Sequence, residues 1–157
     1  MSREILFKAK RKKWRDLPKE EQWVYGYYVS GFNIYEEQVH IIFDPTTIFC
    51  SKGETDGWDE IDPETICQYT GLKDKNGKKI WENDLVKYPD CEMSTEAGYG
   101  DCFENVGSVQ WDAESMSFFF TDRVTVDMGD IIINDEVEVI GNIFDNPELL
   151  KGSGLNE

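Results

Sequence analysis

The 157 residues make a chain of single-domain size. With 39% hydrophobic and 13% aromatic residues it has enough apolar side chain for one core and too much for a disordered segment. The formal net charge is −16, yet eight of the sixteen Lys and Arg lie within residues 1–19, so the rest carries 8 basic and 30 acidic residues, a net of −22. An acidic body of this kind repels nucleic acid and anionic membranes, and no apolar run is long enough to span a bilayer. The basic start lacks the apolar stretch and cleavage site of a signal peptide, so a cytoplasmic location is expected.

In chain order, Glu4 to Ala9 reads as an opening strand and Gln22 to Val29 as an aromatic strand bounded by Gly31, the two pairing as a hairpin. Lys10 to Glu21 between them is polar, carries Pro18 and suits a solvated loop. Gly26 within the aromatic run predicts a bulge or the close approach of another backbone. Gln38 to Phe43 is a third strand, stopped by Asp44-Pro45, and Ser51 to Asp59 reads as a surface loop.

Asp62-Pro63-Glu64-Thr65 predicts one helical turn, with the aspartate as cap and proline in the first helical position. The Asn76-Gly77 pair predicts a two-residue hairpin loop. An extended run from Ile80 to Tyr88 follows, kinked at Glu82-Asn83-Asp84 and ended by Pro89, and Pro89 to Asn105 reads as a long acidic loop. Gly107 to Trp111 and Met116 to Thr121 form a hairpin around Asp112 to Ser115. Ile131 to Ile133 and Val137 to Phe144 give the last strands, separated by a turn at Asn134-Asp135. Pro147 starts a short helix, and the tail 151–157 is expected to be disordered.

Short strands punctuated by Gly, Asn and Pro place the chain in the mainly β class, a β-rich α+β fold. It is expected to have small curled antiparallel sheets, short helical turns and an SH3-like barrel in its C-terminal half. A single domain over 1–150 is expected, with an N-terminal hairpin region to about residue 60 and a barrel-like region over about 61–150.

The four cysteines, Cys50, Cys67, Cys91 and Cys102, show no CxxC spacing, so free thiols and no disulfide are expected. A metal site built from these with His40 is not expected, because paired ligands at short spacing are missing. His40 has no Ser or Cys partner nearby in sequence and reads as an ordinary half-buried residue. Glu82 and Asp84 are candidates for a carboxylate pair, but a bulge at Asn83 would separate them. No nucleotide-binding, HExxH or GxSxG signature is present. No catalytic residue, metal or cofactor is expected.

The run from Ile61 through Gln68-Tyr69-Thr70-Gly71 and Lys75-Asn76-Gly77 to Ile80 resembles the hallmark segment of the YopX family of phage and prophage proteins. Ile80 to Val86, Gly107 to Trp111, Val139 to Leu150, Arg3 to Phe7 and Trp23 to Gly26 extend the resemblance. The family usually has glycine where this chain has Cys67 and Asn83. Asn83 is the residue type that best tolerates left-handed backbone, and Cys67 reads as a small core filler. The resemblance implies a phage or prophage context and supplies no catalytic residues.

These readings point to a non-enzymatic accessory protein that binds a protein partner or itself. Gln68, Tyr69, Thr70, Glu82, Trp23 and Tyr25 are the candidate contacts, and sheet edges are the candidate docking elements. One alternative is nucleic-acid binding through the basic arm of Lys10, Arg11, Lys12, Lys13 and Trp14. Another is an acidic surface that imitates DNA.

Overall fold

Residues 4–44, 57–94, 98–122 and 136–152 are described in the computed structural model. They form ten strands and four 3₁₀ turns in two compact units, Met1–Tyr69 and Thr70–Glu157. The protein is mainly β, and its strands pair antiparallel.

The first unit contains β1 (Phe7–Lys10), β2 (Trp23–Phe32), β3 (Gln38–Phe43), β4 (Trp58–Glu60) and the start of β5 (Cys67–Lys73), in the sheet order β4-β3-β2-β1-β5. The register Ala9↔Val24 and Tyr28↔Ile42 sets these residues on one face, where Ala9, Val24, Ile42 and Ile61 form the core with Phe7, Tyr28 and Ile66 against it. Gly26 is needed because a Cβ there would lie 1.7 Å from the Phe43 carbonyl oxygen, the close approach expected of a glycine inside a strand. The polar loop after β1 holds two 3₁₀ turns, Trp14–Asp16 and Lys19–Glu21.

Two expectations are corrected in this unit. β2 continues through Gly31 to Phe32 because β3 pairs with it along its whole second half. The stretch ending at Asp59 is a strand at its close, β4, which Ile41, Ile42 and Phe43 template. Residues 51–56 of that expected loop, and Cys50 before it, lie outside the described residues. The predicted turn at Asp62 is present as Pro63–Thr65, where Asp62 Oδ1 accepts from the Glu64 N–H at 3.2 Å.

The second unit contains the end of β5, β6 (Lys79–Trp81), β7 (Asp84–Ser94), β8 (Gly98–Asp112), β9 (Ser117–Phe120) and β10 (Glu138–Asn142). Its four-stranded sheet has the order β10-β7-β8-β9. Val86, Tyr88, Val109, Phe120, Val137 and Val139 bury against Ile80 as the core. No closed barrel is formed by the described strands. The expected strand at 131–133 and the turn at 134–135 lie outside the described residues, as does 153–157. Pro147 opens a 3₁₀ turn, Pro147–Gly152, where a short helix is expected.

The expected acidic loop is the long hairpin of β7 and β8, and Pro89 sits inside it opposite Glu104. Among the described residues β10 pairs with β7 only as far as Lys87, and proline is tolerated at a strand position where no ladder partner needs its donor. The hairpin also overturns the expectation of free thiols. Cys91 and Cys102 face each other across the ladder with Cα atoms 4.1 Å apart and form a disulfide. Strand register brings together cysteines whose sequence spacing gives no hint of pairing. Cys67 is a fully buried thiol that donates to the Thr65 carbonyl at 3.3 Å, as a small core filler can.

Candidate interaction surface

The outer face of the first unit's sheet is built by strand alternation. Val24 and Tyr28 point into the core, so Tyr25, Tyr27 and Val29 project from the other side, and they are 53%, 49% and 46% exposed. Cross-strand pairing extends the row, since Tyr27 opposes Phe43 and Phe43 opposes Trp58, itself exposed. A shallow groove of about 560 Å³ lined by Val39, Ile41, Trp58, Asn33, Glu37 and Lys12 opens on this unit.

One end of that face is closed by cations laid on indoles. Lys8 Nζ stands 5.0 Å from the Trp23 ring centroid, and Lys10 Nζ is 5.2 Å from Trp23 and 3.8 Å from Trp14. Lys10 is fully buried and donates to Gln22 Oε1 at 2.9 Å. Trp23 is therefore half-buried beneath its neighbours, whereas Tyr25 is open to solvent.

The basic arm is held against carboxylates of its own unit. Arg11 Nε donates to Asp59 Oδ1 at 2.8 Å, Lys12 pairs with Glu60, and Trp14 Nε1 donates to Asp62 Oδ2 at 3.2 Å with Arg15 over its ring. Lys13 is exposed and takes a left-handed φ of 62° just before the Trp14–Asp16 turn. His40 Nδ1 lies 2.6 Å from the Tyr28 hydroxyl, its ring stacked on the tyrosine.

β2 and β3 meet in a turn that the sequence reading passed over. Asn33 Oδ1 accepts from the Tyr35 and Glu37 N–H groups at 2.9 and 3.0 Å, and Glu36 takes a left-handed φ of 62°. The turn lifts Ile34 and Tyr35 into solvent at 89% and 76% exposure, with Phe32 beside them at 75%. Two large apolar residues between an Asn and a Glu pair, where turn chemistry calls for polar ones, was the available signal.

The other sequence candidates divide between the units. Gln68 is half-buried and Tyr69 buried in the first, with Gln68 opposite Phe7. In the second, Thr70 Oγ1 donates to the Ile80 carbonyl at 2.8 Å, and Glu82 is half-buried in the turn between β6 and β7. Asn83 takes the left-handed conformation anticipated for it, with φ 64°. Its N–H donates to the Val109 carbonyl, its carbonyl accepts from Ile143, and its Oδ1 accepts from Gln110. Asp84 is buried with its Oδ2 accepting from the Trp81 N–H at 2.9 Å, a structural bond to backbone.

The hallmark loop uses the same device as the β2–β3 turn. Asp74 Oδ1 accepts from the Asn76 and Lys78 N–H groups, both at 2.9 Å, and Gly77 alone takes the left-handed position, φ 80°. The loop is therefore Lys75-Asn76-Gly77 closed by Asp74 and Lys78, one residue longer than the expected Asn-Gly turn. Asp74 Oδ2 accepts from the Val139 N–H at 3.0 Å. Burial works to raise the Asp74 pKa, but the N–H donors of Val139, Lys78 and Asn76 together outweigh it and hold the carboxyl below its ordinary value. Nearby, Lys75 and Glu138 form an ion pair whose hydrogen bond raises the lysine pKa and lowers that of the glutamate.

Among the described residues, no group of three or more His, Cys, Asp or Glu is placed to hold a metal, and no helix is long and apolar enough to cross a membrane. The geometry defines a mainly-β protein that exposes an aromatic sheet face in its first unit and fixes its second with buried carboxylate–backbone bonds. Residues 13–151 match the family model described as YopX protein, and the chain belongs to the YopX family. No curated protein matches it. Among solved structures, the crystal structure of protein EF1440 from Enterococcus faecalis is similar, at 23% identity and a TM-score of 0.49, over 95% of this chain and 99% of that one.

Proposed function

We propose that this YopX-family chain is a non-enzymatic accessory protein that binds another protein through the outer face of its first unit. The observation that carries the reading is the row Tyr25, Tyr27 and Val29, exposed on a strand whose opposite side is the core, and extended by Trp58. Aromatic side chains on a rigid sheet suit protein recognition, because they bury large area at small entropic cost. The family resemblance supplies the setting, a phage or prophage product, and the second unit is read as an SH3-like support.

Binding of nucleic acid through Lys10, Arg11, Lys12, Lys13 and Trp14 is the weaker reading. Lys10 is buried, and Arg11 and Lys12 already face Asp59 and Glu60. Imitation of DNA by the acidic surface rests on the net charge of −16 alone. The test is affinity capture by the full chain from bacterial lysate with and without nuclease. The reading expects the same protein in both lysates; retention confined to untreated lysate would replace it with the nucleic-acid reading, and an empty bait would end it.

A further inference from the structure

The β2–β3 turn has more order than an exposed loop needs. Asn33 alone receives two backbone N–H groups, its own N–H donates to the Glu37 carbonyl at 3.0 Å, and its Nδ2 donates to Glu37 Oε2 at 2.9 Å. That lattice of bonds holds Glu36 in a left-handed conformation a glycine would take more easily. The result is a fixed ridge carrying Ile34 and Tyr35, which are among the most exposed large apolar residues described.

The turn itself carries only negative charge, Glu36 and Glu37, whereas Asp59 on β4 is paired with Arg11. Lys12, which lines the neighbouring groove, is paired with Glu60. An isologous contact would bring this patch onto its own copy and set carboxylates against carboxylates. An apolar cleft rimmed by Lys or Arg would accept the ridge and its carboxylates together.

We infer that Ile34 and Tyr35, at the tip of the β2–β3 turn, anchor the binding surface and insert into an apolar cleft with a basic rim on a different protein, not on a second copy of this chain. This rests on the protein-binding reading above and specifies the partner's chemistry. Rigid apolar anchors in a desolvated cleft carry most of an interface's energy, and charges at the rim set approach and register.

The test places a benzophenone amino acid at Tyr35 in the full chain, irradiates it in bacterial lysate and maps the adduct by mass spectrometry. Position 116 serves as the control, since Met116 is also exposed, at 76%, but lies in the second unit. The inference expects a heterologous adduct from position 35, on an apolar residue with Lys or Arg near it, and at least tenfold less of it from position 116. The doubly substituted Ile34→Ser/Tyr35→Ser chain should capture the same partner at least tenfold less well. Adducts to the chain itself, equal yields at the two positions, or undiminished capture by the serine variant would overturn it. Capture lost in Tyr25→Ser/Tyr27→Ser but kept in the serine ridge variant would sink the ridge while leaving the protein-binding reading intact. No capture by the unsubstituted chain would sink both. Because the ridge residues are solvent-exposed, the variants are expected to fold, and matched urea midpoints check it.

Discussion

Asp74 gathers backbone donors from its own turn and from Val139, 65 residues along the chain. Its carboxyl is held below the usual aspartate value in the folded chain, so it stabilises the fold at pH above that ordinary range. The contribution is lost as pH falls through the folded value. Asp74→Asn keeps one acceptor but turns an amide toward the Val139 or the loop N–H groups. At neutral pH it should cost about 1–3 kcal/mol in urea unfolding. The gap between variant and parent should narrow as pH falls from about 5 into the acid range; a gap independent of pH would contradict this role. Glycines offer a second contrast at this scale. Gly26→Ala drives a Cβ into the Phe43 carbonyl and should cost about 1–3 kcal/mol or more, whereas Gly31 has nothing within 4 Å and Gly31→Ala should be near neutral. Equal urea midpoints for the two variants would refute the close approach.

At the level of elements, the hairpin of β7 and β8 is closed by Cys91–Cys102 across directly opposed positions. Its loop is short, with a sequence separation of 11, and closing a loop of that size contributes about 3 kcal/mol. Reduction or Cys102→Ser should therefore lower the stability of this hairpin by about that amount, seen as faster amide exchange along the strands flanking the bridge. Unchanged exchange would show that the ladder holds without the bridge. This hairpin was also where sequence reading failed. Pro89, Gly98, Gly100 and a run of carboxylates look like a loop, yet Pro89 stands within β7 opposite Glu104, beyond the last described pairing with β10 at Lys87. Locally determined features were legible: the Asp62 cap, strand β3, the left-handed Asn83 and the crowding at Gly26. The candidate surface was half legible. Trp23 and Tyr25 stood out as aromatics, but their different burial depends on Lys8, Lys10 and Trp14 arriving from elsewhere. The ridge at Ile34 and Tyr35 was missed because Gly31 looked like the end of a strand that runs on.

For the whole molecule, the charge of −16 and the exposed aromatic face make complementary demands on a partner. Carboxylates around an apolar contact favour a cationic rim, so association should slow as salt is raised from 0.05 to about 0.5 M while dissociation changes less. A salt-independent association rate would remove the electrostatic part of the account. The outer face of the first unit is proposed as a protein-binding surface. Its most direct test is capture from nuclease-treated lysate by the parent chain and by Tyr25→Ser/Tyr27→Ser, both confirmed folded by their urea midpoints. The account predicts one partner retained by the parent and reduced at least tenfold by the variant; the same partner held equally well by both would contradict it.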